Sequence, residues 1–357
     1  MIFYSIPLLL LSILSLLENT KNYYSFLKNK YFCSIVFTFL LFFIGFRVEI
    51  GCDWHEYLKD FNSISWSDWG TFITDKDNKF MEIGYTALSI LISYKFNFNF
   101  LVLIVSTLFL IPLFYFCLNL KRTYLSLLIS YPYFLIVVGM GALRQSAAIG
   151  FVMLSIILIL KNKSNFAYLF SIIAPFFHSS AILFISLAFL NLGKIQKRKY
   201  KIVLVFIFTL GIVLSIIHNF DSLYLKLTYY LQNTKNARSA IFVWLLNFAP
   251  MILYIFNIGK FNFDKNLKNI CIFFFSFEIF LLPFIFISNV IAYRFSLYCF
   301  PISICIISNL PEAQIYKVKN KYIVYTIIFL SFFSMLFWLK FAKHSYCWLP
   351  YQNYFLN

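Results

Sequence analysis

The chain has 357 residues, 62% of them hydrophobic and 12% charged, with a net charge of +17. A soluble domain is about half apolar and about a quarter charged, so this composition excludes one. Apolar runs are continuous rather than alternating, which excludes a β-barrel and leaves an all-α, polytopic integral membrane protein. Nucleic acid does not explain the positive charge. Most Lys stand in short clusters between apolar runs, as the positive-inside rule produces.

Taken in chain order, the first run, 2–17, lacks the basic leader and small-residue cleavage site of a signal peptide and reads as a retained span. Further spans are expected at 31–46, 99–119, 124–140, 145–160, 202–217, 240–258, 270–288, 291–309 and 322–339. That makes about 10 transmembrane helices in a single domain covering 1–357, with no soluble domain. A polar segment, 47–98, is inserted after the second span and carries Trp54, Trp66 and Trp69, suited to a membrane interface or to stacking on sugars. Its last part, 84–98, is short and holds Lys95, and reads as lying at the outer face. A span there would invert everything after it, against the Lys bias. Residues 165–192 fall between two basic loops, so one span would put one of those loops on the wrong side. Pro175, His178 and the two Ser after it read as the tip of a re-entrant-like helical hairpin.

Loop charge sets the expected sidedness. Segments 18–30, 120–123, 161–164, 193–201, 259–268 and 311–321 hold 18 of the 30 Lys and Arg and are expected inside. Segments 47–98, 140–145, 218–239, 289–290 and 340–357 hold nine of the 13 acids and are expected outside, with both termini. Of the seven Cys, only Cys52 and Cys347 lie in polar segments, which leaves a bridge between them open; no zinc spacing is present.

Polar groups at membrane depth are costly and by default mark a working site. Arg47, Arg144, Arg238 and Arg294 fall on the outer side, where the positive-inside bias does not call for them. Such a group suits an anionic ligand, because the Arg fork binds two phosphate oxygens and stays charged. The alternative is that each Arg snorkels to headgroups or pairs with a local acid. Asp53, Glu56, Glu82 and His178 are candidate general bases on the same side. Asp53, His55 and Glu56 fit no standard ligand set, so no metal and no other cofactor is expected, and His55, Glu56 and Lys59 read as solvated surface. Gly51 permits an unusual turn before Asp53. Glu278, in the middle of an apolar run, reads as structural.

In order along the chain stand Arg47, Gly51, Asp53 and Tyr57, then Glu82, Gly84 and Tyr85, then Arg144, Gln145 and Ala148 in GALRQSAAIGF. His178 follows in APFFHSSAI, Arg294 in YRFSLY, and Pro350–Tyr351 near the end. With these motifs the chain resembles the EpsG-like branch of the Wzy-type polysaccharide polymerases, the O-antigen polymerases, over about 45 to 351; Cys52 replaces the small hydroxyl residue of that pattern. The resemblance implies a glycosyltransferase in the bacterial inner membrane with its active site facing the periplasm. Its donor and acceptor would be undecaprenyl-diphosphate-linked oligosaccharides, with undecaprenyl diphosphate released, membrane lipid around it and a chain-length regulator protein as a partner. On that reading Arg47, Arg144 and Arg294 bind diphosphate, and Asp53 or His178 is the base. Glu82 orients the acceptor or its neighbours, and Gln145, Tyr57 and Tyr85 support the site. A flippase for lipid-linked oligosaccharide and an O-antigen ligase are the rival readings.

Overall fold

A computed structural model describes residues 1–63, 82–194, 238–313, 315 and 318–356. The described chain is helical, and its backbone pairing outside helices is one antiparallel bridge between Arg47 and Asn353. The helices are α1 (Ile2–Leu17), α2 (Lys21–Leu27), α3 (Lys30–Gly45), α4 (Trp54–Ser63), α5 (Ile83–Ser93) and α6 (Phe98–Leu118). Then come α7 (Thr123–Gly141), α8 (Leu143–Leu160), α9 (Ser164–Phe177), α10 (Arg238–Phe256), α11 (Lys265–Ile287), α12 (Asn289–Ala313) and α13 (Asn320–Phe341). Among the described residues, six of these (α6, α7, α8, α11, α12 and α13) are long and apolar enough to cross a membrane. The expected spans 2–17, 31–46 and 240–258 appear as shorter apolar helices. The expected span 202–217, His218, Trp66 and Trp69 lie outside the described residues.

The helices sort into a centre and a periphery. In α6, α7, α8 and α12, 61 to 78% of the apolar stretch is buried inside the protein, against 28% in α11 and in α13. Phe280, Phe286, Phe329, Phe333 and Phe337 of the outer two are exposed. A bare apolar surface of that kind is a liability in water and ordinary in lipid. Close packing at the centre relies on a small residue: a Cβ on Gly150 of α8 would sit 2.2 Å from the Leu108 carbonyl oxygen of α6. Polar groups inside the bundle bond to one another across helices. Glu278 of α11 is buried and accepts from the Ser296 hydroxyl of α12 at 2.7 Å, and Asn247 of α10 donates to the same hydroxyl at 2.9 Å.

One end of the bundle gathers several of the Lys-bearing loops. Arg122 pairs with Glu312 at 2.9 Å and bonds Asn19 at 3.1 Å, Lys28 reaches the Leu120 carbonyl, and Asn266 bonds Asn162 at 3.0 Å. There Glu18 accepts the Thr123 and Tyr124 N–H groups at 2.7 and 3.1 Å, filling orphan donors at the start of α7. The opposite end gathers the last residues of α3, α7 and α9 and the first of α5, α6, α8 and α12. At 11 residues α5 is about 16 Å long, too short to cross a hydrocarbon core of about 30 Å. Its N-terminus meets the end of α9, where a Cβ on Gly84 would lie 3.0 Å from the Phe176 carbonyl oxygen.

After Phe177 the backbone of His178 is extended, and a narrower, 3₁₀-type segment, Ser179–Lys194, turns back against α9. The helix therefore breaks at the hairpin tip. Residues 345–356 fold back as a cap on the same end. Tyr354 donates to the Phe46 carbonyl and Val48 to that of Gln352, Trp348 Nε1 bonds the Ile136 carbonyl, and Cys347 is disulfide-bonded to Cys52.

Candidate functional site at the capped end

The segment that leads from α3 to α4 turns sharply. Glu49 has φ +54° and Gly51 has φ +107°, and a Cβ on Gly51 would lie 3.1 Å from the Gly141 Cα. Only glycine combines that φ with that approach. The turn delivers Asp53 to the start of α4, where Asp53, Tyr57 and Asp60, at spacings of four and three, share one face.

That face meets Arg144, in the first turn of α8. Arg144 Nη2 lies 2.8 Å from Asp60 Oδ2, and Nη1 lies 3.2 Å from Glu82 Oε2, just before α5. Its guanidinium sits 5.1 Å from the ring centres of both Tyr57 and Tyr85. Two carboxylates and two aromatic faces hold one fork, an arrangement a point-charge Lys would not fill.

His178 closes the other side, its Nε2 3.8 Å from Glu82 Oε1. The Ser180 backbone N–H donates to His178 Nδ1 at 3.3 Å, and the Ser180 hydroxyl lies 2.6 Å from the same nitrogen. Nδ1 is therefore an acceptor and the proton belongs on Nε2, facing Glu82. Tyr298 OH lies 2.9 Å from the Ser180 hydroxyl and completes the chain. Burial, with Arg294 and Arg144 adding to it, pushes the imidazole pKa down to about 3. His178 is a neutral group, and its contact with Glu82 is no ion pair.

Asp53 stands at the exposed edge of this cluster. Protein crowded around its carboxyl raises the pKa above the ordinary value; Glu56 adds to the shift, and Arg294 and Arg144 oppose it. Arg294 is half-buried in the first turns of α12, and its carbonyl accepts from Gln145 Nε2 at 2.7 Å. Its neighbour Tyr293 accepts from Tyr133 at 3.1 Å. Asp53, Glu82, Arg144, His178 and Arg294 thus meet, with Tyr57, Tyr85 and Gln145 packed among them.

Arg47 does not join them. It is 1% exposed, and its guanidinium donates to the carbonyls of Met140 and Ile44 and to the Ser106 hydroxyl at 2.9 Å. Its neighbours are Tyr4, Tyr351 and Tyr85, the last shared with the Arg144 cluster. Its guanidinium ties α3, α6 and α7 together, because the long stem folds back into carbonyls left open at helix ends. Sequence reasoning missed Asp60, Ser180 and Tyr298. The spacing of Asp60 from Asp53 and Tyr57 was a usable signal; nothing local marks Tyr298. His55, Glu56 and Lys59 are exposed. Among the described residues no group of three or more His, Cys, Asp and Glu is placed to hold a metal.

Fold and site together define a polytopic helical membrane protein with a charged, aromatic-lined site at one end of the bundle. A model of the EpsG family matches residues 30–353, nearly the whole chain, and the chain belongs to that family. Membership associates it with membrane-embedded polysaccharide polymerisation, a glycosyltransferase-like activity. Neither the curated proteins nor the solved structures compared with the chain give a match.

Proposed function

We propose that this protein is a repeat-unit polymerase of the O-antigen type. It would join undecaprenyl-diphosphate-linked oligosaccharides at the periplasmic face of a bacterial inner membrane. The observation that carries the reading is the meeting of Asp53, Glu82, Arg144, His178 and Arg294 at the end opposite the Lys-bearing loops. By the charge bias of those loops, that end is the outer one. The disulfide at the same end supports this, since such bonds persist on the oxidising side of a membrane.

In the reaction an acceptor hydroxyl oxygen attacks the anomeric carbon of the donor chain. The bond from that carbon to the diphosphate oxygen breaks, and undecaprenyl diphosphate leaves with the electron pair. The hydroxyl proton passes to the base. Asp53 is the base, because it is exposed beside Arg144 and Arg294 and its raised pKa brings it closer to working pH. His178 is not, because its acceptor nitrogen already takes the Ser180 N–H. Its Nε2 faces Glu82 at 3.8 Å, and closing that gap when substrate enters would orient Glu82 for the acceptor. Arg294 and Arg144 stabilise charge growing on the diphosphate, work that preorganised cations do without a metal. Arg144 exchanges a carboxylate for phosphate as the donor enters.

A flippase is less well supported, since it needs charges along a central path open to both faces. The charges here crowd one end, and Glu278 is already bonded. A ligase shares the donor and differs in its acceptor. Deletion separates the three: loss of a polymerase leaves single repeats on the surface lipid, loss of a ligase strands long chains on the carrier, and loss of a flippase leaves no repeat outside. Either of the last two phenotypes would overturn the proposal.

A further inference from the structure

Cys52 is the residue before Asp53, and its disulfide partner lies 295 residues away. The bond joins the start of α4, which carries Asp53, Tyr57 and Asp60, to the cap formed by 345–356. The cap is anchored independently of the site. Tyr4 of α1 donates to the Trp348 carbonyl at 2.7 Å, and Tyr351 donates to the Phe43 carbonyl at 2.7 Å. Between cap and turn, the backbone bond nearest Asp53 runs from the Gly51 N–H to the Cys347 carbonyl, at 2.9 Å. Beyond Gly51 the link from turn to cap is the disulfide, while Trp54 holds the start of α4 against Phe98. Cys52 is exposed, so a reductant reaches the bond, whereas the other five cysteines are buried.

We propose that the Cys52–Cys347 disulfide is a positioning element of the site: by tying the start of α4 to the anchored cap it holds Asp53 at the edge of the cluster, so that activity depends on oxidation of that face. The proposal rests on the reading of Asp53 as the base. A cross-link across so long a loop removes much of the freedom the two ends would otherwise have. With the bond open, the turn keeps Gly51 and the buried Trp54, packed on Phe98 at 5.0 Å, but loses the tie at Cys52, next to Asp53. Asp53 then shifts, together with Glu56 and Tyr57 of its own helix, relative to Arg144 of α8 and to Arg294 and Tyr293 of α12.

The test uses the full-length protein in lipid nanodiscs, oxidised or treated with dithiothreitol, beside Cys52→Ser/Cys347→Ser. A bulky maleimide should add two labels after reduction and none before; labelling of the untreated protein overturns the bond. A water-soluble carbodiimide with an amine then labels carboxyl groups across a pH series, read at Asp53 by mass spectrometry. Reduction should move half-labelling of Asp53 to lower pH, towards an ordinary carboxylate. Turnover of a lipid-diphosphate-linked oligosaccharide should fall at least tenfold in kcat with little change in KM. A merely structural bond would lower signal at every pH without moving the Asp53 titration. An unmoved titration, or unchanged kcat in an active preparation, overturns the proposal. A titration that moves in a protein with no turnover leaves the positioning intact and sinks the polymerase reading instead. If the double variant fails to fold, reduction of the folded wild type carries the same measurements.

Discussion

Arg144→Ala removes one fork from between two carboxylates. The pair with Asp60, whose side chain is 39% exposed, is worth about 0–1 kcal/mol once solvent screens it. The pair with Glu82, 12% exposed, is a charge-assisted hydrogen bond worth about 1.5–3 kcal/mol. The local loss is about 1.5–4 kcal/mol, confined to the site end. The protein should therefore still reach the membrane at near wild-type level. Activity should fall much further: losing a preorganised cation at developing charge costs about 100- to 1,000-fold in kcat. Arg144→Lys keeps the charge but cannot bridge Asp60 and Glu82 together, so it should fall between the two. The assay is formation of a polymer ladder, with release of lipid diphosphate, from purified protein and lipid-linked repeat units. Near wild-type elongation by Arg144→Ala would refute the reasoning, and full activity of Arg144→Lys would refute the bridging role.

Arg47→Ala should act through folding. It strips donors from two buried carbonyls and the Ser106 hydroxyl, a loss of about 1–3 kcal/mol for each group left unpaired, seen as reduced protein in the membrane. Normal abundance with lost activity would return Arg47 to the diphosphate. For Asp53 the folded pKa is raised, so the native state binds more protons and its stability falls as pH rises through the carboxylate range. Asp53→Asn should hence resist heating better than wild type at pH 7 while losing turnover; equal or lower resistance contradicts the crowding of that carboxyl. For His178, lowered to about 3, the unfolded chain binds the extra proton, so stability is complete above about pH 6.5 and is lost as pH falls toward 3. His178→Gln should flatten that loss in thermal melts at pH 4 to 7 and retain part of the activity; complete inactivation matching Asp53→Asn would make His178 the base. Gly51→Ala should lower both abundance and rate, since it places a Cβ 3.1 Å from Gly141 at φ +107°. Wild-type behaviour there would show that the turn can relax.

Much was legible along the chain. Composition forces helices in lipid because each backbone polar group must be satisfied within its own segment. The Lys clusters foretold several loops that gather at one end, since that bias is a property of each loop alone. Arg144, Glu82, His178 and Arg294 stood out because each is a polar group at the edge of an apolar run, and Pro175 before His178 foretold a break that the structure puts at that residue. What the tertiary structure decided were meetings between distant residues. Arg47 and Arg144 look alike in sequence, both at helix ends. Packing sends one into open carbonyls of α3 and α7 and the other between Asp60 and Glu82. The proton on His178 follows from the Ser180 amide, whose direction depends on how the backbone bends after α9. The pairing of Cys52 with Cys347 was one option for two polar cysteines, and folding the cap back onto the turn made it a bond. Periodicity and loop charge are local and survive in the sequence. Which side chain faces which cavity depends on rotations of whole helices about one another, and those are set by the packed bundle.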